Sequence, residues 1–548
     1  MGKVSGTPDI IAGTLADAGI ENVFHLPGTS VSSIYPSLAR QKKIKSVLFK
    51  HEQAACFAAA GYALVTNRPG VCMVMCGPGV TNVVSAVTEC YYQSIPVVVI
   101  TVDNPQKNLG IEAFHEVDSF KILEPVTKKI IYPEKASDVQ KAVADAIATS
   151  NRGRPGPVYL NIPIDIMEDT AENKKISIDV KQKVATPPEI TKALKMIYEA
   201  ESPMIFAGSG IIRSGAEDEL AEFARLTGIP VLMSLGGRGA LPDSNPLSLG
   251  MPPYNFDSNI FNAADLFIVV GARLNPVNLR MGKLKLPKKI IRIDVDDENP
   301  KFRKADIYIK ADAGSFLRGA SGIIRKNSSQ FAKKRFQNHN DGYKETYNEF
   351  LSAERKKAFA GNGSLSSSPL TSRMFLAELS EFIEKNDAVI FTDTIWTPYS
   401  HLFPRLKKPR SFFSVRSFGC LGFALPAAIG ATFAKNEKRK IISLSGDGGF
   451  LFNCQDLSTA ATYNRKNFIQ IILNNSGYSS LNVLASAKFG KQDDYYLWAR
   501  IDYSKLSESL GVNSITIEKR SEIKESLSKA FNSNSPCLLN VVTKDSNL

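Results

Sequence analysis

Residues 441–475 read IISLS (441–445), GDGG (446–449), FLFNCQDLSTAATYNRKN (450–467), FIQIIL (468–473) and then Asn474-Asn475. A short β-branched run, a tight turn, a helix-like stretch, a second apolar run and a second turn make a parallel strand–helix–strand unit. The crossover rule puts both strands in one sheet, and ligands of open α/β sheets sit at the carboxyl ends of strands. Asp447 and Asn475 each lie just past such an end, so their side chains can converge although they are far apart in the chain. A carboxylate and an amide oxygen are hard ligands for Mg²⁺ or Ca²⁺. Gly446, Gly448 and Gly449 let backbone N–H groups approach a phosphate, and the helix that follows turns its positive end toward it. A metal bridging to a diphosphate satisfies both signs. Asp-Gly alone is a common turn; the Asn-Asn turn after the next strand makes the pair informative.

The same rhythm runs along the chain. VCMVM, PVVVIT, VYLNIP, MIFAGS, PVLMS, LFIVVGA, IIRIDV and AVIFTD are continuous apolar runs, each followed by a turn and a helix-like stretch. Such runs indicate parallel sheets covered by helices on both faces. The expected fold is α/β, with doubly wound parallel-sheet domains. Two polar stretches divide it, around Asp169–Pro188 and Asn327–Pro369. They read as linkers with one solvated helix. The blocks are then 1–168, 189–326 and 370–548, each of domain size.

Composition bounds the rest. The 548 residues are 43% hydrophobic and 22% charged, an ordinary globular balance. The 7 cysteines are too few and scattered for a disulfide scaffold, and Cys72 and Cys76 sit in an apolar run with no histidine near. No run approaches the roughly 18 apolar residues of a membrane span, and no signal peptide is visible, so the expectation is a cytoplasmic protein with no membrane partner. The net charge of +13 permits a polyanion, but no nucleic-acid motif or aromatic-interleaved basic stripe accompanies it. No nucleic-acid partner is expected.

The GDG…NN constellation resembles the thiamine-diphosphate-binding motif of the thiamine-diphosphate-dependent enzymes, a superfamily that includes acetolactate synthases and 2-oxo acid decarboxylases. The resemblance implies that Asp447, Asn475 and the carbonyl of Gly477 hold Mg²⁺, with Gly448 and Gly449 against the diphosphate. SFGCLGFALPAAIGA resembles the stretch that threads under the cofactor. Leu421 stands where the family wedges the cofactor into its bent form, and Gly419 where a carbonyl accepts the pyrimidine amino group. FTDTIWT aligns with a further cofactor-contacting turn through Ile395 and Trp396, where relatives often have a Gly-Gln-His-like run. Tyr478 and Leu481 would line or cover the pocket.

In the first block, FKHEQAACFAAAGYALVTNRPGVCMVMCGPGVTN resembles the pyrimidine-binding domain of the same superfamily. The resemblance makes Glu52 the carboxylate that hydrogen-bonds a pyrimidine nitrogen and shares a proton with it, a role that wants a dry pocket. Taken alone, an HE dipeptide reads as a helix-start glutamate favoured by the dipole. Gly77, Pro78, Thr81 and Asn82 match a turn beside the pyrimidine. HLPGTS (25–30) resembles a substrate-side loop, which makes His25 and Thr29 candidates, Thr29 for a substrate carboxylate. His115 lies in LGIEAFHEVDSFKILEPVTKK, which resembles a segment of the acetolactate synthase branch. Histidine suits proton transfer near neutral pH.

The middle block resembles the family's central domain, which binds FAD in acetolactate synthases and nothing in many decarboxylases. Gly208, Gly210, Gly236, Gly237 and Arg273 are placed to line such a site, and FAD stays open. Asp294, Asp296 and Asp297 read as a polar turn. The resemblance further implies a homodimer or homotetramer with the active site between subunits.

The implied reaction is decarboxylation of a 2-oxo acid with transfer of the acyl unit to a second carbonyl. Two departures keep simple decarboxylation to an aldehyde open: His115 replaces the branch's glutamine, and SGYSSLNVLASAKFG (476–490) replaces its Gly-Met-Val…Gln-Trp-Gln run. Met75 stands where an aryl-2-oxo-acid decarboxylase has a catalytic histidine. A catalytically silent regulatory member is the alternative of another class, and retention of Glu52, Asp447 and Asn475 argues against it.

Overall fold

Among the described residues, nineteen short runs of extended backbone organise the fold, and seventeen of them fall into three parallel sheets. The structure is a computed structural model that describes residues 3–174, 176, 178, 180, 182–251, 264–276, 286–296, 304–327, 341–359, 369–394, 399–415, 417–490 and 494–544. β1 (Lys3–Gly6) precedes the first sheet, which is built from β2 (Asn22–His25), β3 (Lys45–Leu48), β4 (Gly70–Met75), β5 (Val97–Asp103), β6 (Lys129–Ile131) and β7 (Val158–Pro163) in the order β3-β2-β4-β5-β7-β6. β8 (Thr170–Asn173) returns to pair antiparallel with β1.

The second sheet holds β9 (Pro203–Ala207), β10 (Val231–Met233), β11 (Leu266–Val270), β12 (Lys289–Asp294) and β13 (Ile307–Lys310), ordered β10-β9-β11-β12-β13. The third holds β14 (Val389–Thr392), β15 (Phe412–Ser414), β16 (Ile441–Gly446), β17 (Phe468–Asn474), β18 (Asn513–Ile517) and β19 (Cys537–Val542), ordered β15-β14-β16-β17-β19-β18. Each apolar run expected as a strand is one. All but PVLMS, which forms the edge strand β10, lie inside their sheets, where helices cover both faces and a Val/Ile-rich run is buried on both sides. Among the described residues, no helix is long and apolar enough to cross a membrane.

The first and third sheets share one topology: second strand, first, third, fourth, sixth, fifth. In each, the helix between the second and third strands faces its counterpart. These are the Glu52 helix (Glu52–Thr66) and the Ala424 helix (Ala424–Ala431). Their contact is reciprocal. A Cβ on Gly61 would lie 1.9 Å from the Ala427 carbonyl oxygen, and one on Gly430 would lie 2.0 Å from that of Ala58. Only glycine lets the backbones approach this far. The Ala-rich runs AACFAAAGYA and ALPAAIGA are therefore an interface code as much as a helix code.

The helix expected within these polar stretches lies in the second, and it is docked rather than solvated. A helix spans Asp341–Phe359 and buries Leu351 and Ala358, with Ala358 in the core of the third sheet. On the same buried face Glu354 pairs with Arg373 at 3.1 Å. An amphipathic face too sparse to stand out among lysines is enough to dock it.

Candidate functional site

Parallel pairing of β16 with β17 sets Gly446 beside Leu473, so the GDGG and Asn-Asn turns leave the same sheet edge. Asp447 opens a short helix (Asp447–Leu451) and is 1% exposed. Its Oδ1 accepts from the Gly448 N–H at 2.9 Å and its Oδ2 from the Gly477 N–H at 3.2 Å. Burial pushes the carboxyl up to about 6 against those donors; a nearby cation would reverse that shift. Asn475 donates its Nδ2 to Ser479 Oγ at 2.7 Å, while its Oδ1 is buried with no hydrogen-bond partner. A carboxylate and an unsatisfied amide oxygen at one sheet edge fit a hard divalent cation.

The glycines here are packed, not merely flexible. A Cβ on Gly448 would sit 2.3 Å from the Tyr478 ring, one on Gly449 2.5 Å from Asp393 Oδ2, and one on Gly477 2.5 Å from the Tyr496 carbonyl oxygen. The segment after the turn folds back over it: Tyr478 donates its N–H to the Tyr496 carbonyl at 2.8 Å, Trp498 donates to that of Ser476 at 3.1 Å, and the Tyr478 and Trp498 rings meet edge to face. Leu481 stays half exposed on the helix Ser479–Phe489.

Gly419 adopts φ +93° and Leu421 is half-buried. Two residues absent from the sequence-derived set hold this loop. Glu89 accepts from the Gly419 and Cys420 N–H groups, and Asp393 accepts from those of Gly422, Phe423 and Ala424. Each had a faint signal. Glu89 is an acid on the otherwise apolar face of VVSAVTECYY, and Asp393 lies in FTDTIWT at a strand end. Ile395 and Trp396, expected from that stretch, lie outside the described residues.

Glu52 is the first residue of its helix and is 7% exposed. His51 caps that helix, its Nδ1 accepting the Gln53 N–H at 3.1 Å. Asn82 donates its Nδ2 to Glu52 Oε2 at 2.9 Å, so the structure joins these two predicted residues. Asn82 lies in the first turns of the helix Pro78–Gln93, whose Pro78 is exposed. Gly77, at φ +62°, is pressed by the His115 backbone: a Cβ there would lie 2.4 Å from the His115 carbonyl oxygen. His115 itself adopts φ +64° and its ring lies tilted against that of exposed Phe114, centroids 3.7 Å apart.

His25 ends β2 and is buried, its Nδ1 without a partner and its ring 4.7 Å from that of Tyr35. Burial lowers its pKa to about 4, so it is neutral near pH 7 and is not an imidazolium acid there. That changes the proton-transfer role expected of it. Thr29 is exposed, and its carbonyl accepts from Ser32. The loop touches Met75, which would lie 2.8 Å from a Cβ on Gly28. Among the described residues, no hydrogen bond joins His25 or Thr29 to His115.

A cavity of about 540 Å³ opens at the central sheet and is lined by Gly210, Gly236, Arg273 and Asp296, with Arg154 from the first block and Ser414 from the third. Arg273 donates to the Tyr92 carbonyl, and Arg154 stacks on Tyr91 and lies 3.8 Å from Asp296. Gly208 and Gly237 serve close packing beside it, against the Gly271 and Ala207 carbonyls. Asp294 ends β12 and is consumed by a buried pair with Arg292 at 2.8 Å, and Asp297 lies outside the described residues.

A strand-edge acid–amide pair under glycine turns and a buried helix-start glutamate in a second sheet domain fit a thiamine pyrophosphate enzyme, and the chain belongs to that family. Residues 7–122 match its N-terminal TPP binding domain, 190–319 its central domain and 396–541 its C-terminal TPP binding domain. More particularly, it is an acetolactate synthase-like, thiamine-diphosphate-dependent enzyme. It is 33% identical to the probable acetolactate synthase large subunit of Methanocaldococcus jannaschii over 97% of this chain and 91% of that protein. It is 30% identical to the acetolactate synthase isozyme 1 large subunit of Escherichia coli K12 over 97% of this chain and 93% of that one. It is 29% identical to acetolactate synthase 1, chloroplastic, of Zea mays over 97% and 85%.

Proposed function

We propose that the enzyme uses Mg²⁺ and thiamine diphosphate to decarboxylate a 2-oxo acid and pass the acyl unit to a second carbonyl compound. The observation that carries the cofactor half is the buried, unpartnered Oδ1 of Asn475 at the same sheet edge as Asp447. These two groups and the Gly477 carbonyl would hold the metal. Bound thiamine diphosphate supplies the electron sink for loss of CO₂. Glu52, kept dry and oriented by Asn82, would hold and share a proton at the pyrimidine ring. Gly419 and Leu421 would set the cofactor's shape, with Gly446, Gly448 and Gly449 against its diphosphate. His115, brought onto the GPG turn through Gly77, is the candidate for contact with substrate, with His25 acting as a neutral hydrogen-bonding group and Thr29 toward a carboxylate.

Ligation is favoured by likeness to acetolactate synthases along nearly the whole chain. Simple decarboxylation is the second reading, supported by the SGYSSLNVLASAKFG run in place of the branch's usual one. We assign FAD to the central cavity, on its size and its Gly210, Gly236 and Arg273 lining. A second copy is expected to complete the site, in a homodimer or a dimer of dimers; exposed Phe114, Leu484, Phe489 and Leu497 supply apolar surface for it.

The test is purification, an absorption spectrum, and assay with pyruvate and other 2-oxo acids in the presence of Mg²⁺ and thiamine diphosphate. A yellow protein that forms acetolactate supports the proposal. A colourless one that releases aldehyde selects the second reading. Absence of turnover on every 2-oxo acid tried would refute both.

A further inference from the structure

The segment Gly419–Ala424 is held in an unusual way. Every backbone N–H in it, except that of Leu421, ends on one of two buried carboxylates. Glu89, fully buried on the helix Pro78–Gln93, takes Gly419 at 2.8 Å and Cys420 at 3.0 Å on its Oε2, and its Oε1 accepts the Gln93 side-chain amide at 2.8 Å. Asp393, at the end of β14, takes Gly422 at 3.2 Å on Oδ2, and Phe423 at 3.1 Å and Ala424 at 3.0 Å on Oδ1. Two further contacts support the segment: Cys420 Sγ donates to the Ser85 carbonyl at 3.3 Å, and Asn453 Nδ2 donates to that of Gly422 at 2.8 Å.

Charge-assisted bonds to backbone N–H groups are strong and directional. Burying two carboxylates near each other is costly, and here Asp393 is pushed up to about 6, mainly by burial and further by the charge of Glu89. Neither acid has a lysine or arginine among its hydrogen-bond partners in the described residues. Their donors are backbone amides and the Gln93 side chain.

We propose that Glu89 and Asp393 are positioning residues that fix Gly419–Ala424 from both ends, so that Leu421 and the Gly419 carbonyl present one geometry to the cofactor. Glu89 comes from the block that carries Glu52, and Asn82 and Glu89 lie on one helix. The helix therefore ties the glutamate's partner to the cofactor loop of the third block. The inference rests on the reading of Gly419 and Leu421 as cofactor contacts.

The two acids differ in how well an amide can replace them. Asp393 uses both oxygens as acceptors for backbone groups that cannot turn, so D393N must set an NH₂ against an N–H. Glu89 uses one oxygen for the loop and the other for Gln93, whose amide can rotate. E89Q should therefore recover much of what E89A loses, while D393N should resemble E89A.

Full-length protein is compared as parent, E89A, E89Q, D393N and L421A. The first measurement is amide hydrogen exchange of the segment 419–424 in cofactor-free protein. Exchange is expected to quicken in E89A and D393N, and less in E89Q. The second is thiamine diphosphate affinity with Mg²⁺, read by fluorescence, and proton exchange at the bound thiazolium. E89A and D393N are expected to weaken binding by about tenfold or more, with E89Q closer to the parent. Unchanged amide exchange in both E89A and D393N would overturn the clamp. Quickened exchange with parental affinity and thiazolium exchange would overturn its role toward the cofactor. If L421A also leaves affinity and thiazolium exchange unaltered, the reading of Leu421 fails, and the proposal falls with it although the clamp stands.

Discussion

Gly61 offers a prediction in which the structure reverses the sign that helix propensity gives. In a helix interior, Gly→Ala ordinarily gains roughly 0.8–1.0 kcal/mol. At position 61 the new Cβ would lie 1.9 Å from the Ala427 carbonyl oxygen. Carbon–oxygen contacts settle near about 3.3 Å, so the two helices must part by on the order of 1.4 Å. The contact is close-packed, and separation forfeits dispersion along its length. Overpacking costs about 1–3 kcal/mol, and a backbone oxygen yields less than a side chain, so the upper end applies. The net effect of G61A is then a loss of about 2 kcal/mol, or roughly 4–8 °C in apparent Tm for a unit of 150–250 residues. G430A should behave alike, because its Cβ would lie 2.0 Å from the Ala58 carbonyl oxygen. G322A is the control: it lies in the helix Ala313–Lys326, where a Cβ meets nothing within 4 Å, and it should hold or gain stability. Scanning fluorimetry of the cofactor-free proteins reads all three. Because the Gly61 helix starts with Glu52, turnover should fall with G61A as well. A G61A protein that melts at or above the parent would refute the reasoning about this interface.

Three other outcomes follow from the site. E52Q can still accept from Asn82, so it should fold and bind, yet lose about 10²–10⁴-fold in turnover; full turnover in steady-state assays would remove Glu52 from the chemistry. N475A deletes the unpartnered oxygen and should raise the Mg²⁺ needed for half-activation by about tenfold or more, read by metal titration; an unaltered curve would take Asn475 out of the metal site. Asp456 accepts from the Lys50 N–H at 2.9 Å, and burial raises its pKa to about 6. A raised folded value means its stabilising contribution is complete below the ordinary carboxyl value near 4 and is lost as pH rises through about 6. D456N should then gain on the parent at pH 8 relative to pH 5 in paired melts, and a pH-independent difference would count against that.

The diphosphate end was legible because its signals are local. Apolar runs fix strands, the turns mark their carboxyl ends, and parallel order brings Asp447 to the Gly477 N–H. Glu52 needed the resemblance, since a helix-start glutamate has an ordinary explanation; its Asn82 partner appears only once the GPG turn is folded. Glu89 gave only a faint signal, for a plainer reason. Its partners lie 330 residues downstream, at Gly419, and 331 downstream, at Cys420, and no pattern within one element announces them. The displaced proton affinity of His25 was equally hidden, because burial among Tyr35 and its neighbours is a tertiary fact. CLLNVV, which was not among the runs read as strands, forms β19, a buried strand between β17 and β18. The +13 charge had no such outcome.

The shared strand order of the outer sheets, and the reciprocal fit of Gly61 on Ala427 and Gly430 on Ala58, have a consequence in the history of the chain. A contact that is the same from either side is what two identical copies make. The chain carries such a pair inside itself, as a duplicated and fused ancestor would. Two separate identical copies can change only together, since one gene writes both. After fusion each half drifts alone. One half could then keep an acid at the start of its helix, at Glu52, while the other elaborated a metal turn at Asp447 and Asn475. Were the halves copies of one ancestor, the likeness left between them would be the part neither could alter without losing its grip on the other.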